Sequence, residues 1–336
     1  MIFLRDVGPS RSLAIIASEA INKGHNVAFS TLNGVLLDDA VIYANDYDVV
    51  LMSSGTLHTD KDADIIRALK KNSKKVAYFS DTYGVCARPE ILLVAHLCDF
   101  AFVVDIFEKA KAVEAGFKNV VVSGVPLWEE FCKTSRYTSD DIRLSLGIPK
   151  SPKTILFTGI KKSGIVKRAF GDLLWVISRL NGDWFLLPRF RKEDEFFEEG
   201  YYENVLRSRG FSFAYSHNLY DNIGDLLPAV DLVISLASTV GIEAIYKRKR
   251  VIDYLPDYFI ERLKEIGGGA TWNPAELGAT KKADSKESLE QAINYLFTDD
   301  GFAELRKNQE KFYPIIKGNN AAKIILETLE REITPA

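Results

Sequence analysis

Asp231-Leu-Val-Ile-Ser-Leu-Ala-Ser-Thr-Val-Gly-Ile-Glu243 reads as a buried strand that runs into a turn of small residues and then into a helix. Leu232 to Ser235 is apolar without alternation, the pattern of a strand covered on both faces. Ala237 to Thr239 ends the strand, and the sequence predicts a helix from near Val240. Backbone N–H groups at a helix start lack intrahelical partners and carry the positive end of the dipole. A phosphate or pyrophosphate suits them, with the Ser238 and Thr239 hydroxyls as added donors beside the Val240 amide. The plainer reading is that Ser238 or Thr239 only caps the helix. A capping box would need Ser or Thr three residues before Glu243, and Val240 stands there.

The same strand-then-helix unit repeats on both sides. Ile2 to Val7, Asn26 to Phe29, Val49 to Met52, Val76 to Phe79, Phe100 to Val104 and Val120 to Ser123 read as strands. Ser12 to Lys23 and Asp62 to Asn72 carry apolar residues at helical spacing between them. Lys133 to Lys153 is polar and broken by Pro149 and Pro152, which marks a domain boundary. The alternation restarts with Thr154 to Thr158, Trp184 to Leu187, Phe211 to Tyr215, Leu232 to Ser235 and Val251 to Tyr254. The expected fold is α/β, two Rossmann-like doubly wound parallel-sheet domains facing a cleft. Their expected limits are residues 1–140 and 141–312, with a C-terminal helix over 313–336 crossing back to the first domain.

Composition narrows the function classes. The 336 residues are 47% hydrophobic, and 43 basic side chains oppose 46 acidic ones for a net charge of -3. Such a chain is globular, and its charge gives no global reason to expect nucleic acid. The basic run Lys247 to Arg250 reads as a solvated helix end. Cys86, Cys98 and Cys132 show no C-x-x-C spacing and read as reduced thiols of a cytoplasmic protein. Arg5 and Asp6 interrupt what would be the apolar part of a signal peptide. Ile91 to Val104 is too short to span a bilayer and holds His96 and Asp99, so membrane contact would be peripheral, at the inner face.

Other candidate residues follow strands. Thr158-Gly-Ile-Lys-Lys-Ser-Gly164 places Gly159, Lys161, Lys162 and Ser163 after the first strand of the second domain. Its glycines permit close backbone approach and its lysines can neutralise a diphosphate, although the P-loop spacing is absent. Arg189 follows the next strand, and a guanidinium suits phosphate. In the first domain, Ser10 and Arg11 in a loop after the first strand are acceptor-side candidates. Asp81 and His58, each in a turn after a strand, are candidate general bases. His25 and His96 read as partly buried structural residues. Asp46-Tyr-Asp48 lies before its strand and Asp60 to Asp64 opens a helix, so no metal is expected there.

The order of a first Rossmann-like domain, Gly124-Val-Pro126, a second such domain and the Asp231 to Ala244 stretch resembles the GT-B superfamily. That superfamily includes nucleotide-sugar glycosyltransferases and UDP-N-acetylglucosamine 2-epimerases. The resemblance implies that Glu243 binds the ribose hydroxyls, as a carboxylate can accept both protons of a vicinal diol. It also implies that Ser238 and Thr239 hold the diphosphate. Asp81 falls where the epimerases carry a catalytic glutamate. Their Gly-Asp-Thr is Ser54-Gly55-Thr56 here, and their histidine motif in domain two is replaced by Thr158 to Gly164. Those departures favour a metal-independent glycosyltransferase moving a sugar from a UDP-type donor to a hydroxyl of a glycan, lipid-linked or small-molecule acceptor. Cell-envelope polysaccharide is the setting so implied, with no cofactor beyond the donor substrate. The alternatives are an epimerase or hydrolase, a glycerophosphotransferase, and a noncatalytic binding protein. The sequence leaves the oligomeric state open.

Overall fold

The short apolar runs pair edge to edge into two sheets in which every pairing is parallel. The computed structural model describes residues 2–4, 7–31, 42, 44–53, 59–160, 163–191, 194–216, 219–220, 222–265, 272–316, 318 and 320–333. The first sheet holds β1 (Ile2–Leu4), β2 (Phe29–Thr31), β3 (Val49–Met52), β4 (Lys75–Phe79), β5 (Phe100–Val103) and β6 (Val120–Val122), ordered β2-β1-β3-β4-β5-β6. The second holds β7 (Lys153–Thr158), β8 (Trp184–Arg189), β9 (Ser212–Phe213), β10 (Leu232–Ser235), β11 (Arg250–Tyr254) and β12 (Lys281–Ala283), ordered β12-β11-β10-β7-β8-β9. Counted from β7, that order is the 3-2-1-4-5-6 of a dinucleotide-binding sheet. Strand order reverses between β1 and β3 and again between β7 and β10. Connections leave in opposite directions at such a point, so a crevice opens at the carboxyl ends of the strands.

The chain divides into two units, one of Met1–Glu130, Leu263–Gly269 and Ile316–Ala336, the other of Phe131–Arg262 and Ala270–Ile315. The first unit buries Val50, Met52, Ile66, Val76, Tyr78 and Val103 in one cluster, with Tyr78 stacked on Phe117. Its final helix, Asn320–Ile333, packs on the helix Val7–Asn22. The buried Glu129 carboxylate accepts the Ala321 N–H at 2.9 Å and so caps that helix from another element. Gly124, at φ 75, lets the backbone pass 3.8 Å from the Ala321 side chain, measured from where its Cβ would lie. The second unit has an aromatic core in which Phe190 stacks on Tyr202 at 3.8 Å between ring centres and Phe170 meets both edge-on.

Several expectations need correction. β1 ends at Leu4, and Val7 already belongs to the helix Val7–Asn22. The expected loop containing Ser10 and Arg11 is therefore the first turn of that helix, where Pro9 costs little because its missing N–H would have no partner. The second strand is displaced to Phe29–Thr31. β12 is an edge strand with the sequence Lys-Lys-Ala, which carries no apolar signal. His96 is exposed, and His25, also exposed, lies 2.8 Å from Glu330. The run Lys247 to Arg250 is half-buried, and all four cations end on backbone carbonyls instead of in solvent. The cysteines are free thiols, as expected. Among the described residues no helix is long and apolar enough to cross a membrane.

Candidate functional site

The register of the second sheet brings four residues into one row at its carboxyl end. Arg189 pairs with Thr158, Thr158 with Ser235, and Ser235 with Asp253. In-register neighbours of a parallel sheet project to the same face, so a polar row lies at the reversal between β7 and β10. Thr158, Ser235 and Asp253 are buried in it. The Thr158 hydroxyl finds no hydrogen-bond partner.

Ser235 leads into the turn singled out above. Ala237 takes a left-handed φ of 46°, and Ser238 is the N-cap of the helix Thr239–Tyr246. The Ser238 N–H donates to Ser235 Oγ at 3.0 Å, and the Val240 N–H donates to Ser238 Oγ at 3.2 Å. Two of the helix-start amides are thus satisfied within the turn, and exposed Thr239 presents the next one. Gly241 lets the helix sit close on the strand: a Cβ there would lie 3.1 Å from Ser235 Oγ. Glu243 is buried on the following turn, with its carboxylate over Gly224. A Cβ at Gly224 would lie 1.8 Å from Glu243 Oε1, so only glycine leaves that carboxylate its place.

Behind the turn, Asp253 is fully buried and accepts the Thr280 hydroxyl at 2.6 Å through Oδ2. The Ser235 hydroxyl, the Trp272 indole and the Ala237 N–H lie around the carboxyl and favour the ionised form, although Oδ1 itself takes no hydrogen bond. Burial outweighs these donors and pushes the carboxyl up to about 7.

The remaining candidates divide. Gly159 packs against Val166 and Phe190, and Ser163 opens the helix Ser163–Ile177, so the segment after β7 also ends on a helix start. Lys161 and Lys162 lie outside the described residues. Arg189 donates to Ser216 Oγ at 3.1 Å and to the Tyr220 carbonyl at 2.6 Å, which ties the segment after β9 to β8.

In the first unit, Asp81 is buried directly after β4, and His58 lies outside the described residues. Ser10 is half-buried and Arg11 exposed on the first helix. Glu108, which sequence reading missed, is buried on the helix Ile106–Glu114 and accepts the Gly84 N–H at 3.0 Å, fixing the turn that carries Asp81. Burial raises its pKa, and the Lys111 ammonium at 2.9 Å and the Gly84 bond oppose that rise. Among the described residues no group of His, Cys, Asp or Glu is arranged to hold a metal.

The fold is shared with solved structures of known proteins. The UDP-GlcNAc 2-epimerase of Neisseria meningitidis, bound to UDP-GlcNAc, aligns over 98% of this chain and 99% of its own, with TM-score 0.69 and 14% identity. Alr3699/HepE of Anabaena, in complex with UDP, aligns over 98% and 99% with TM-score 0.64 and 15% identity. MurG of Acinetobacter baumannii aligns over 98% of each chain with TM-score 0.61 and 12% identity. The fold is the GT-B-like one of two Rossmann-like units. No family model matches the sequence, and no curated protein matches it. Within this fold, Asp253 and Glu108 were the residues without a sequence signal. Each becomes notable only through a neighbour on another strand or helix.

Proposed function

We propose that this chain is a GT-B enzyme that binds a nucleoside-diphosphate sugar in its second unit and transfers the sugar to an acceptor hydroxyl. The observation that carries the reading is the β10–turn–helix segment at the strand-order reversal, with Ser238 as N-cap and Thr239 presenting its amide and hydroxyl. A diphosphate there meets the positive end of the helix Thr239–Tyr246, which stabilises the charge that develops as the nucleoside diphosphate leaves. Glu243 is the ribose ligand in this reading, with Gly224 making room for it. The bound UDP and UDP-GlcNAc of two proteins of the same fold support a uridine nucleotide. Asp81 of the first unit is the candidate base that takes the acceptor proton, held by the turn that Glu108 fixes.

A specific observation also favours a second reading. Asp81, at the place of the epimerases' catalytic glutamate, is a buried carboxyl, and a UDP-GlcNAc 2-epimerase is among the similar structures. Epimerisation of the sugar at C2 is therefore the rival reaction.

Incubation with UDP-GlcNAc, with and without acceptor hydroxyls, separates them. Transfer releases UDP only when an acceptor is present, and Asp81→Asn abolishes that release. Appearance of the C2 epimer without any acceptor would replace transfer by epimerisation. Neither product, in protein that binds UDP-GlcNAc, would leave a binding protein.

A further inference from the structure

We infer that Asp253 is a positioning residue for the diphosphate: from the neighbouring strand β11 it holds the Ser235–Thr239 turn in its ligand-binding shape. This rests on the donor-site reading above.

The turn needs holding. Ala237 sits at φ 46°, a region in which a side chain other than glycine costs on the order of 1 kcal/mol or more. Glycine would remove that cost, yet alanine stands there. The compensation comes from across the sheet. Ser235 and Asp253 are register partners, so the carboxyl lies directly under the turn. Its Oδ2 is fixed by Thr280. Its Oδ1 and Ser235 Oγ lie side by side under the turn, 3.6 and 3.1 Å from where a Cβ of Gly241 would stand, and the Trp272 indole and Ala237 N–H are further donors around the carboxyl. Ser235 in turn accepts the Ser238 N–H. The chain of contacts therefore runs from Thr280 through Asp253 and Ser235 to the N-cap residue, and sets where the Thr239 amide points.

Among the described residues, the groups facing Asp253 carry no charge: Ser235 from β10, Ala237 from the turn, Gly241 from the helix, Thr280 before β12, and Trp272. Lys282, its register partner on β12, is exposed and turned toward Glu276 at 4.0 Å. A buried carboxylate with no cation is costly, so a purely structural position would do better with an apolar residue of similar size. What the carboxylate adds is acceptors for the donors of this turn.

The test uses Asp253→Asn, which keeps the shape and replaces one of the two acceptor oxygens by an amide donor among these donors, at pH 8 where the wild-type group is ionised. Amide hydrogen exchange at residues 236–240 should accelerate about tenfold while the β7 amides stay protected. Affinity for UDP-GlcNAc, by calorimetry, should weaken about tenfold, equal to about 1.4 kcal/mol. Adding Ala237→Gly to the variant should restore most of the affinity, because glycine adopts the left-handed conformation without help. Unchanged exchange at 236–240 would overturn the inference. So would loss of β7 protection together with the turn, since Asp253 would then hold the whole unit. A turn that loosens in the variant while wild-type protein binds no UDP-GlcNAc would instead overturn the donor-site reading, with the turn-setting role decided by exchange alone.

Discussion

At Asp253 burial pushes the carboxyl up to about 7 from its ordinary 3.8. The folded protein therefore holds this proton more tightly than the unfolded chain. The stability linked to it is fully present below about pH 4 and is lost as pH rises through 7. Subtracting the urea-unfolding free energy of Asp253→Asn from that of wild type at each pH isolates the group. The difference should fall by on the order of 4 kcal/mol between pH 4 and 8. A flat difference would mean that the carboxyl is not desolvated. Gly224 offers a sharper steric case. With Glu243 Oε1 1.8 Å from where a Cβ would lie, Gly224→Ala must displace the carboxylate. We expect a stability loss of about 1–3 kcal/mol and at least tenfold weaker nucleotide binding. Both should be absent in Gly171→Ala, inside the helix Ser163–Ile177, where an added Cβ meets nothing within 4 Å.

Helix ends decide what the basic run does. The helix Thr239–Tyr246 closes with Lys249 N–H on Ala244 C=O at 3.0 Å and Arg248 N–H on Ile245 C=O at 2.9 Å. This pair of bonds defines a Schellman ending, whose left-handed residue is usually glycine and is here Arg248 at φ 55°. Its guanidinium repays the strain by donating to the Gln309 carbonyl at 3.2 Å and the Tyr313 carbonyl at 2.9 Å, near the end of the helix Asp299–Phe312. Arg250 does the same for Leu296, the last residue of its helix, at 2.7 Å. Arg248→Ala should therefore cost about 2 kcal/mol in chemical denaturation, and Arg306→Ala, an exposed helix pair, less than about 0.5 kcal/mol. In the first unit, Glu129→Ala should lower stability by about 1–2 kcal/mol by uncapping the helix Asn320–Ile333. In sequence these side chains are only a charge run and one of two adjacent acids. Their partners lie 61 and 192 positions away, so no local pattern reports them.

Across the whole molecule, the architecture was legible because the central strands of both sheets are short apolar runs. Val49–Met52 and Leu232–Ser235 were placed to the residue for that reason. β12 was invisible because an edge strand of Lys-Lys-Ala gets its place from pairing with β11, not from burial. The site was half legible. Ser238, Thr239 and Glu243 are consecutive on one strand–turn–helix, so the chain itself spells out their proximity. Thr158, Arg189 and Asp253 join them only through a strand order that puts β10 between β7 and β11, which no spacing encodes. The central claim is that this row and turn receive a nucleoside diphosphate. The most direct measurement is calorimetric titration of UDP into wild-type protein and into Glu243→Ala, with folding checked for both. Saturable binding with one site per chain is expected in the wild type, with a loss of at least tenfold in the variant. Equal binding in both, or none in folded wild-type protein, would contradict that claim.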